Sequence, residues 1–348
     1  MQQPRLILGI GELLWDIFPS DTSRAPVPAN GSAPMACASV EPCGISASVK
    51  RLGGAPANFA VLAARLGSHA AILSRIGRDE LGRAAISELE PLPADTSFLQ
   101  IDSKYESGRV TVSFADGQPR YEIHNPAAWD FMELSDRWVR LAERASAVCF
   151  GTLAQRSSQS RQTIQTLVAQ TGSACLRILD INLRPPFDSV EPVEESLELA
   201  TVVKMNDTEL VEVIDSLGLG SVEEDLPAAH PGKDRSLSTD SLRLGAQRLL
   251  AEFPLLKLVA VTRGSCGSLL VTRSEWHEHP GYAVEVADTV GAGDAFTAAL
   301  THYMLLGAGL ATLNEAGNRW GSWMASQYGA MPDLPADKRM QITTAIED

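Results

Sequence analysis

The chain has 348 residues, 45% of them hydrophobic, which is ample for a buried core and leaves one large α/β domain or two smaller ones as the options. A net charge of −14 argues against a nucleic-acid or anionic-membrane partner. The five cysteines are scattered, with no Cys-x-x-Cys pair, so a reduced cytoplasmic location is expected.

A short β-like run, Arg5 to Gly11, opens the chain and soon meets Glu12, so it reads as a first strand and not as a signal peptide. No apolar stretch approaches membrane-spanning length. Pro, Ala, Ser and Gly dominate Ser20 to Ser48, which predicts a long loop or insertion. Gly53-Gly54-Ala55-Pro56-Ala57-Asn58 then opens a helix, with Pro56 suited to its first turn, and the helix is expected to stop at Leu66–Gly67. A strand over Ala70–Ile76 and a helix over Glu80–Glu90 follow. Arg109 to Phe114 alternates and is rich in β-branched residues, Asp116-Gly117 signals a turn, and Arg120 to Ile123 answers it. That pattern predicts a hairpin projecting as part of a lid.

From Ala145 the rhythm is strand and helix in alternation. Strands are expected at Ala147–Phe150, Leu176–Ile181, Thr201–Met205 and Leu258–Thr262, and helices near Gln159–Ala169, Asp207–Leu217, Ser241–Glu252 and Ala311–Tyr328. The prediction is an α/β fold with a mostly parallel central sheet flanked by helices. Asp225 to Thr239 reads as a surface insertion.

One stretch concentrates chemistry: Asp288-Thr289-Val290-Gly291-Ala292-Gly293-Asp294-Ala295-Phe296. A strand is expected before it, Tyr282–Val286, and an apolar helical run follows through Leu300 and Leu305. Glycines let a backbone approach a ligand closely, and a helix N-terminus aims free N–H groups at an anion. The same helix end favours an ionised Asp294, which can take a proton from a hydroxyl. One turn can therefore hold a migrating phosphoryl group and carry the base that activates its acceptor. The alternative is a tight turn with Asp294 as an ordinary first-turn residue.

Other polar residues fall at predicted C-terminal strand ends, where open α/β sheets bind ligands: Asp16, Asp180, Asn182, Arg184, Asn206 and Thr262. Each alone reads as a turn or cap residue; their recurrence along one edge points to a site. Asp16 can accept several hydrogen bonds from sugar hydroxyls. Gly53 and Gly54 can turn amides toward a polyol, with Asn58 reaching it from the helix. Asn206 and Glu209 have capping-box spacing, and spacing alone favours the cap over a role with Mg²⁺. Neither a P-loop nor a Gly-x-Gly-x-x-Gly follows the first strand. His277 and His279 have strand spacing and lack a third zinc ligand nearby. Trp320 and Trp323 are expected in the core.

These motifs resemble the PfkB, or ribokinase-like, family of sugar kinases, in its fructokinase-like form, over nearly the whole chain. Gly53 to Asn58 resembles its first signature and Asp288 to Asp294 its second, which is highly specific. Gly11 to Asp16, Asp180 to Arg184, Lys204 to Glu209 and Thr262 to Gly267 fall in the family's order. The resemblance implies one ribokinase-like kinase domain over residues 1–348, with a small β lid from segments near 17–50 and 100–128. It implies Asp294 as general base and Gly291, Ala292 and Gly293 as the anion hole. Asp16, Gly53, Gly54 and Asn58 would hold the sugar, with Arg184 beside them. Lys204, Asn206, Glu209, Thr262, Gly264, Gly267 and Asn318 would serve ATP, Glu209 acting on Mg²⁺ through its waters. Asp288 matches a residue that helps bind K⁺ in many members. Fructose is the expected acceptor; 2-keto-3-deoxygluconate, ribose, a nucleoside, or a binding protein without chemistry are the alternatives. The implied partners are a small sugar and ATP, with a homodimer contact through the lid. The segment between Phe18 and Arg51 is long for a fructokinase-like member, and Pro185-Pro186 departs from the commonest pattern.

Overall fold

The computed structural model describes residues 5–18, 49–115, 118–221 and 237–347. The predicted Ser20–Ser48 loop, the Asp116-Gly117 turn and nearly all of the Asp225–Thr239 insertion lie outside the described residues. In chain order the elements begin with β1 (Leu6–Ile10), β2 (Leu14–Phe18), β3 (Val49–Gly53), α1 (Ala55–Arg65), β4 (His69–Leu73), β5 (Arg75–Gly77) and α2 (Glu80–Leu89). Next come β6 (Gln100–Asp102), β7 (Gly108–Ala115), β8 (Gln118–Ile123), α3 (Asp136–Arg144), β9 (Ala147–Gly151), α4 (Ser158–Ala169), β10 (Leu176–Asp180) and α5 (Val190–Leu199). The chain continues with β11 (Val202–Asn206), α6 (Asp207–Ser216), α7 (Thr239–Glu252), β12 (Leu258–Thr262), β13 (Ser268–Val271) and β14 (Trp276–His279), and closes with α8 (Ala292–Leu306), α9 (Leu310–Ala325) and α10 (Ala336–Glu347).

The main sheet has the order β14-β13-β12-β11-β10-β9-β1-β4. The run from β12 to β4 is parallel, and β13 and β14 add an antiparallel edge. Period-2 alternation sends neighbouring residues to opposite faces. In β1, Leu6, Leu8 and Ile10 join the core beneath α3 to α7, while Ile7 joins the core beneath α1, α8, α9 and α10. Both faces are covered, so the parallel strands are mostly apolar, as such a sheet requires, with Asp180 on β10 and Lys204 and Asn206 on β11 set toward their C-terminal ends. Each fully buried Leu or Ile contributes about 1.5–3 kcal/mol. Trp320 and Trp323 lie in the second core, as predicted, with their rings edge to face at 5.7 Å.

A second sheet, β3-β2-β7-β8, stands apart from the first. The expected Arg109–Ile123 hairpin is its β7–β8 pair. Asp16, expected just past the first strand, instead lies inside β2, in register with Arg51 on β3 and Val110 on β7.

Two predicted strands are corrected. Ala70–Ile76 divides at the buried Ser74, where β4 leaves the main sheet and β5 pairs with β6. Ser74 O accepts Gln100 N at 2.9 Å, so the backbone changes partners within one residue. Tyr282–Val286 is not a strand; β14 ends at His279. That segment is the crossover into α8, anchored at its end by Ala287 N and Asp288 N donating to Ala325 O. Val284 and Val286 remain exposed, because their alternation meets no sheet partner.

Candidate active site

The C-terminal ends of β9 to β12 set Gly151, Asp180, Asn206 and Thr262 along one edge, with Asp180 in register with Lys204 and Asn206 with Thr262. Above that edge α8 begins. Gly291 is its N-cap with φ 79°, a left-handed conformation that suits glycine. A Cβ at Gly291 would also lie 3.0 Å from Ala330 Cα. The first turn presents the N–H groups that have no partner within the helix, although Ala292 N leans toward Thr289 O at 3.3 Å. Gly293 has a different reason to be glycine. A Cβ there would stand 2.8 Å from Lys204 Nζ, so the ammonium rests directly on the turn.

Lys204 is buried and paired with Asp180, with Nζ at 3.0 Å from Oδ1 and 3.3 Å from Oδ2. Burial pulls its pKa down, but Asp180, Glu209 and Asp294 outweigh this and raise it, so the lysine is charged. Thr297 Oγ1, one turn along α8, lies 3.1 Å from Asp180 Oδ2. Lysine, aspartate and threonine thus tie the strand edge to the base of α8. Thr297 was not among the site residues expected from the sequence, and Asp180 was expected only as one of the strand-end polar residues, with no role of its own. Asp180 was visible as a strand-end carboxylate, and Thr297 carried no distinguishing signal.

Asp294 is buried in the first turn of α8 and accepts Asn58 Nδ2 at 2.8 Å on Oδ2. Burial and the neighbouring Asp180 push its pKa up to about 6, against the pull of Asn58, Lys204 and Arg184. The carboxylate is thus harder to ionise than a free one, yet it remains largely ionised at neutral pH, the state a general base needs. Asn58 comes from α1, whose start is the Gly53–Asn58 turn. A Cβ at Gly54, where φ is 122°, would overlap the Glu12 carbonyl oxygen. A Cβ at Gly53 would lie 3.7 Å from Asp16 Oδ2, so this glycine and that carboxylate are neighbours. Burial also lifts Asp16, to about 6, against the charges of Arg184 and Arg51. The exposed Arg184 acts electrostatically on Asp16, Glu12 and Asp294 together. Asp16, Gly53, Gly54, Asn58, Arg184 and Asp294 are therefore brought to one place.

The remaining candidates divide. Asn206 and Glu209 form the capping box that their spacing indicated: Asn206 Oδ1 accepts Glu209 N and Glu209 Oε2 accepts Asn206 N, both at 2.8 Å. Glu209 Oε1 also accepts Leu183 N at 3.0 Å, which ties the loop after β10 to α6. Each carboxylate oxygen keeps an acceptor position beyond these bonds. Thr262 ends β12, Gly264 has φ 56°, and Gly267 has φ 81° where a Cβ would overlap the His279 carbonyl. Asn318 is set deeper. It is buried, and its Nδ2 lies 2.7 Å from Ser268 Oγ and 2.8 Å from Asn314 O. That amide is engaged inside α9 and β13. His279 Nε2 lies 2.8 Å from Glu315 Oε2, and His277 Nδ1 lies 3.1 Å from Asn314 Nδ2.

Asp288 begins the turn. Its Oδ2 takes Arg51 Nη1 at 2.8 Å and Gly329 N at 3.2 Å, and its Oδ1 takes Val290 N at 3.0 Å. Three of about four acceptor positions are filled, and Arg51 matches its charge. Among the described residues no group of three or more His, Cys, Asp or Glu side chains is arranged to hold a metal.

The chain is similar to known proteins along most of its length. The family model for pfkB family carbohydrate kinases matches residues 39–337. Fructokinase-1 of Oryza sativa subsp. japonica is 28% identical over 349 residues, covering 95% of each chain. The fructokinase of Vibrio alginolyticus is 29% identical, covering 83% of this chain and 90% of its own. A sugar kinase of Pyrococcus horikoshii, solved in complex with ATP, superposes with a TM-score of 0.73 at 26% identity, over 97% of this chain and 99% of that one.

Proposed function

The chain belongs to the pfkB family of carbohydrate kinases and is a phosphotransferase acting on a sugar hydroxyl; from that premise we propose that it transfers the γ-phosphoryl group of ATP to fructose. The observation that carries this reading is the Asn58–Asp294 bond, which joins the family's two signatures into one polar cluster. ATP as donor is supported by the ATP complex of the Pyrococcus horikoshii sugar kinase. Fructose as acceptor is supported by relatives named fructokinase along nearly the whole chain.

Asp294 takes the proton of the acceptor hydroxyl as the oxygen forms its bond to the γ-phosphorus. The bond from that phosphorus to the bridging oxygen breaks, and ADP carries the electron pair away. The amides around Gly291, Ala292 and Gly293 face the charge that develops on the phosphoryl oxygens, with the Lys204 ammonium behind them. Asp16 and the Gly53–Asn58 turn orient the sugar, so the step is unimolecular once both substrates are bound. Thr262, Gly264 and Gly267 border the nucleotide, and Asn318 supports that wall from within.

Glu209 would act on a Mg²⁺ ion through its waters, with substrate phosphates completing the shell; such an ion would neutralise phosphate charge. A K⁺ ion at Asp288 would share the carboxylate with Arg51. The exposed Arg184 guanidinium acts through its charge on Asp16, Glu12 and Asp294 and would equally attract a substrate carboxylate, so an acid sugar is the acceptor to set against fructose.

Coupled ADP detection over fructose, 2-keto-3-deoxygluconate, ribose and a nucleoside, each with and without K⁺, tests the proposal. Fructose should show the highest kcat/KM. A higher value for any other acceptor overturns the substrate, and ligand-dependent thermal shifts without ADP formation overturn the chemistry.

A further inference from the structure

Glu12 lies between β1 and β2, only 4% exposed, and the phosphoryl-transfer step above makes no use of it. Its Oε1 accepts Ala55 N at 3.3 Å, the amide that opens α1. Its Oε2 has no hydrogen-bond partner among the described residues. Its carbonyl is the atom against which Gly54 packs. The turn that delivers Asn58 to Asp294 therefore rests on Glu12 at two points. Glu12 also lines a small, partly open chamber of about 10 Å³, shared with Ala55, Cys149, Thr152, Asp180 and Asn182. The wall is mostly apolar, with Glu12, Thr152, Asp180 and Asn182 as its polar members, and the volume holds one water molecule at most.

We propose that Glu12 is a positioning residue for the general base: it seats the start of α1 through Ala55, and its second oxygen shares a proton with a single water in the chamber, so that Glu12 and Asp294 are not both ionised freely. The inference rests on the kinase reading given above. The groups facing Glu12 are Asp294 from α8, Arg184 from the loop after β10, Asp180 at the end of β10 and Cys149 on β9. Burial pushes Glu12 up to about 7 while Asp294 stands at about 6. Two neighbouring acids with separated proton affinities divide the roles between them. Near neutrality Glu12 is the acid that still carries a proton in a large share of molecules, and Asp294 is the one largely free to accept.

The sign for stability follows. The folded pKa of Glu12 is raised above 4.5, so its contribution is full below about 4.5 and is lost as pH rises through about 7. Wild-type, Glu12→Gln and Glu12→Ala proteins test the idea, each measured for Tm and for kcat/KM from pH 5 to 9. Gln retains an oxygen for Ala55 but cannot ionise. The wild type should lose Tm from about pH 5 to pH 7 and level off above that, and Glu12→Gln should lose distinctly less. Its kcat/KM profile should lack the inflection near pH 7. Glu12→Ala should fall at least about tenfold in kcat/KM, and Glu12→Gln should recover most of that. A Glu12→Gln protein with wild-type Tm and rate profiles overturns the shared proton. A Glu12→Ala protein with wild-type kcat/KM overturns the seat; one that does not fold leaves the decision to the Gln variant. Because the Tm profile needs no turnover, a wild type inactive on every sugar, yet showing the Glu12-dependent Tm profile, would sink the kinase reading and not the proton assignment.

Discussion

Asn58 Nδ2 donates to Asp294 Oδ2 across 2.8 Å, although the two residues stand 236 positions apart. The bond joins the start of α1 to the first turn of α8, two helices that share one core beneath the sheet. It limits how far burial can raise Asp294, since an amide donor favours the ionised form. A base that sits near neutrality can both accept a proton and later release it.

Asp294→Asn should keep the fold and lose about 10²–10⁴ in kcat. It should also gain thermal stability at pH 8. The folded pKa of Asp294 is about 6 against 3.8, so its stabilising share is complete below about 3.8 and is lost as pH rises through about 6. Asparagine carries no such loss. A Tm at pH 8 below the wild-type value would contradict the burial argument.

Asp16 and Asp294 both titrate near pH 6. If both must be ionised, kcat/KM for the sugar should fall below pH 6 more steeply than for one proton. Asp16→Asn should return the limb to a single-proton slope and raise the sugar KM by about 10- to 100-fold, the cost of weakening charge-assisted hydrogen bonds. The KM for ATP should hardly move. Initial rates at saturating and limiting fructose separate these outcomes.

Lys204→Met leaves Asp180 as a buried, unpaired charge, at a cost of about 3–5 kcal/mol. The double variant Lys204→Met/Asp180→Leu should regain much of that stability in urea titrations. It should not regain turnover, because the ammonium against Gly293 is gone. Recovery of activity in the double variant would remove Lys204 from the anion hole.

Arg51 meets Asp288 at 2.8 Å and so links strand β3 to the turn that ends at Asp294. Arg51→Ala exposes the Asp288 charge to a competing cation. Activity of the variant should rise more with KCl than that of the wild type, and choline chloride at equal ionic strength should not substitute. Equal KCl responses would show that Arg51 and K⁺ do not share the carboxylate.

Much of the fold was readable without coordinates. The strands β9, β10, β11 and β12 and the helices between them follow from apolar runs and helical periodicity, which are local properties of the backbone. Errors came where an extended segment had to choose a partner. Ala70–Ile76 reads as one strand, yet Ser74 hands the chain from one sheet to another. Tyr282–Val286 has the alternation of a strand but no neighbour to pair with. In the site, the glycines and the carboxylates at positions 16 and 294 stood out because their spacing carries chemical meaning. Thr297 is an ordinary helix residue until the sheet brings Asp180 to it.

By itself the amino-acid order determined the turn from Asp288 to Asp294, the helix start at Gly53–Asn58 and the parallel rhythm. Each depends only on φ freedom at glycine, on capping and on side-chain period within a few residues. Only the tertiary structure decided that Asn58 meets Asp294, that Lys204 lies on Gly293, that Glu12 supports Ala55 and that Arg51 neutralises Asp288. Those contacts join residues from 43 to 237 positions apart in the chain. They exist because sheet register and helix packing set which distant residues share a space, and that space sets how strongly each acid holds its proton.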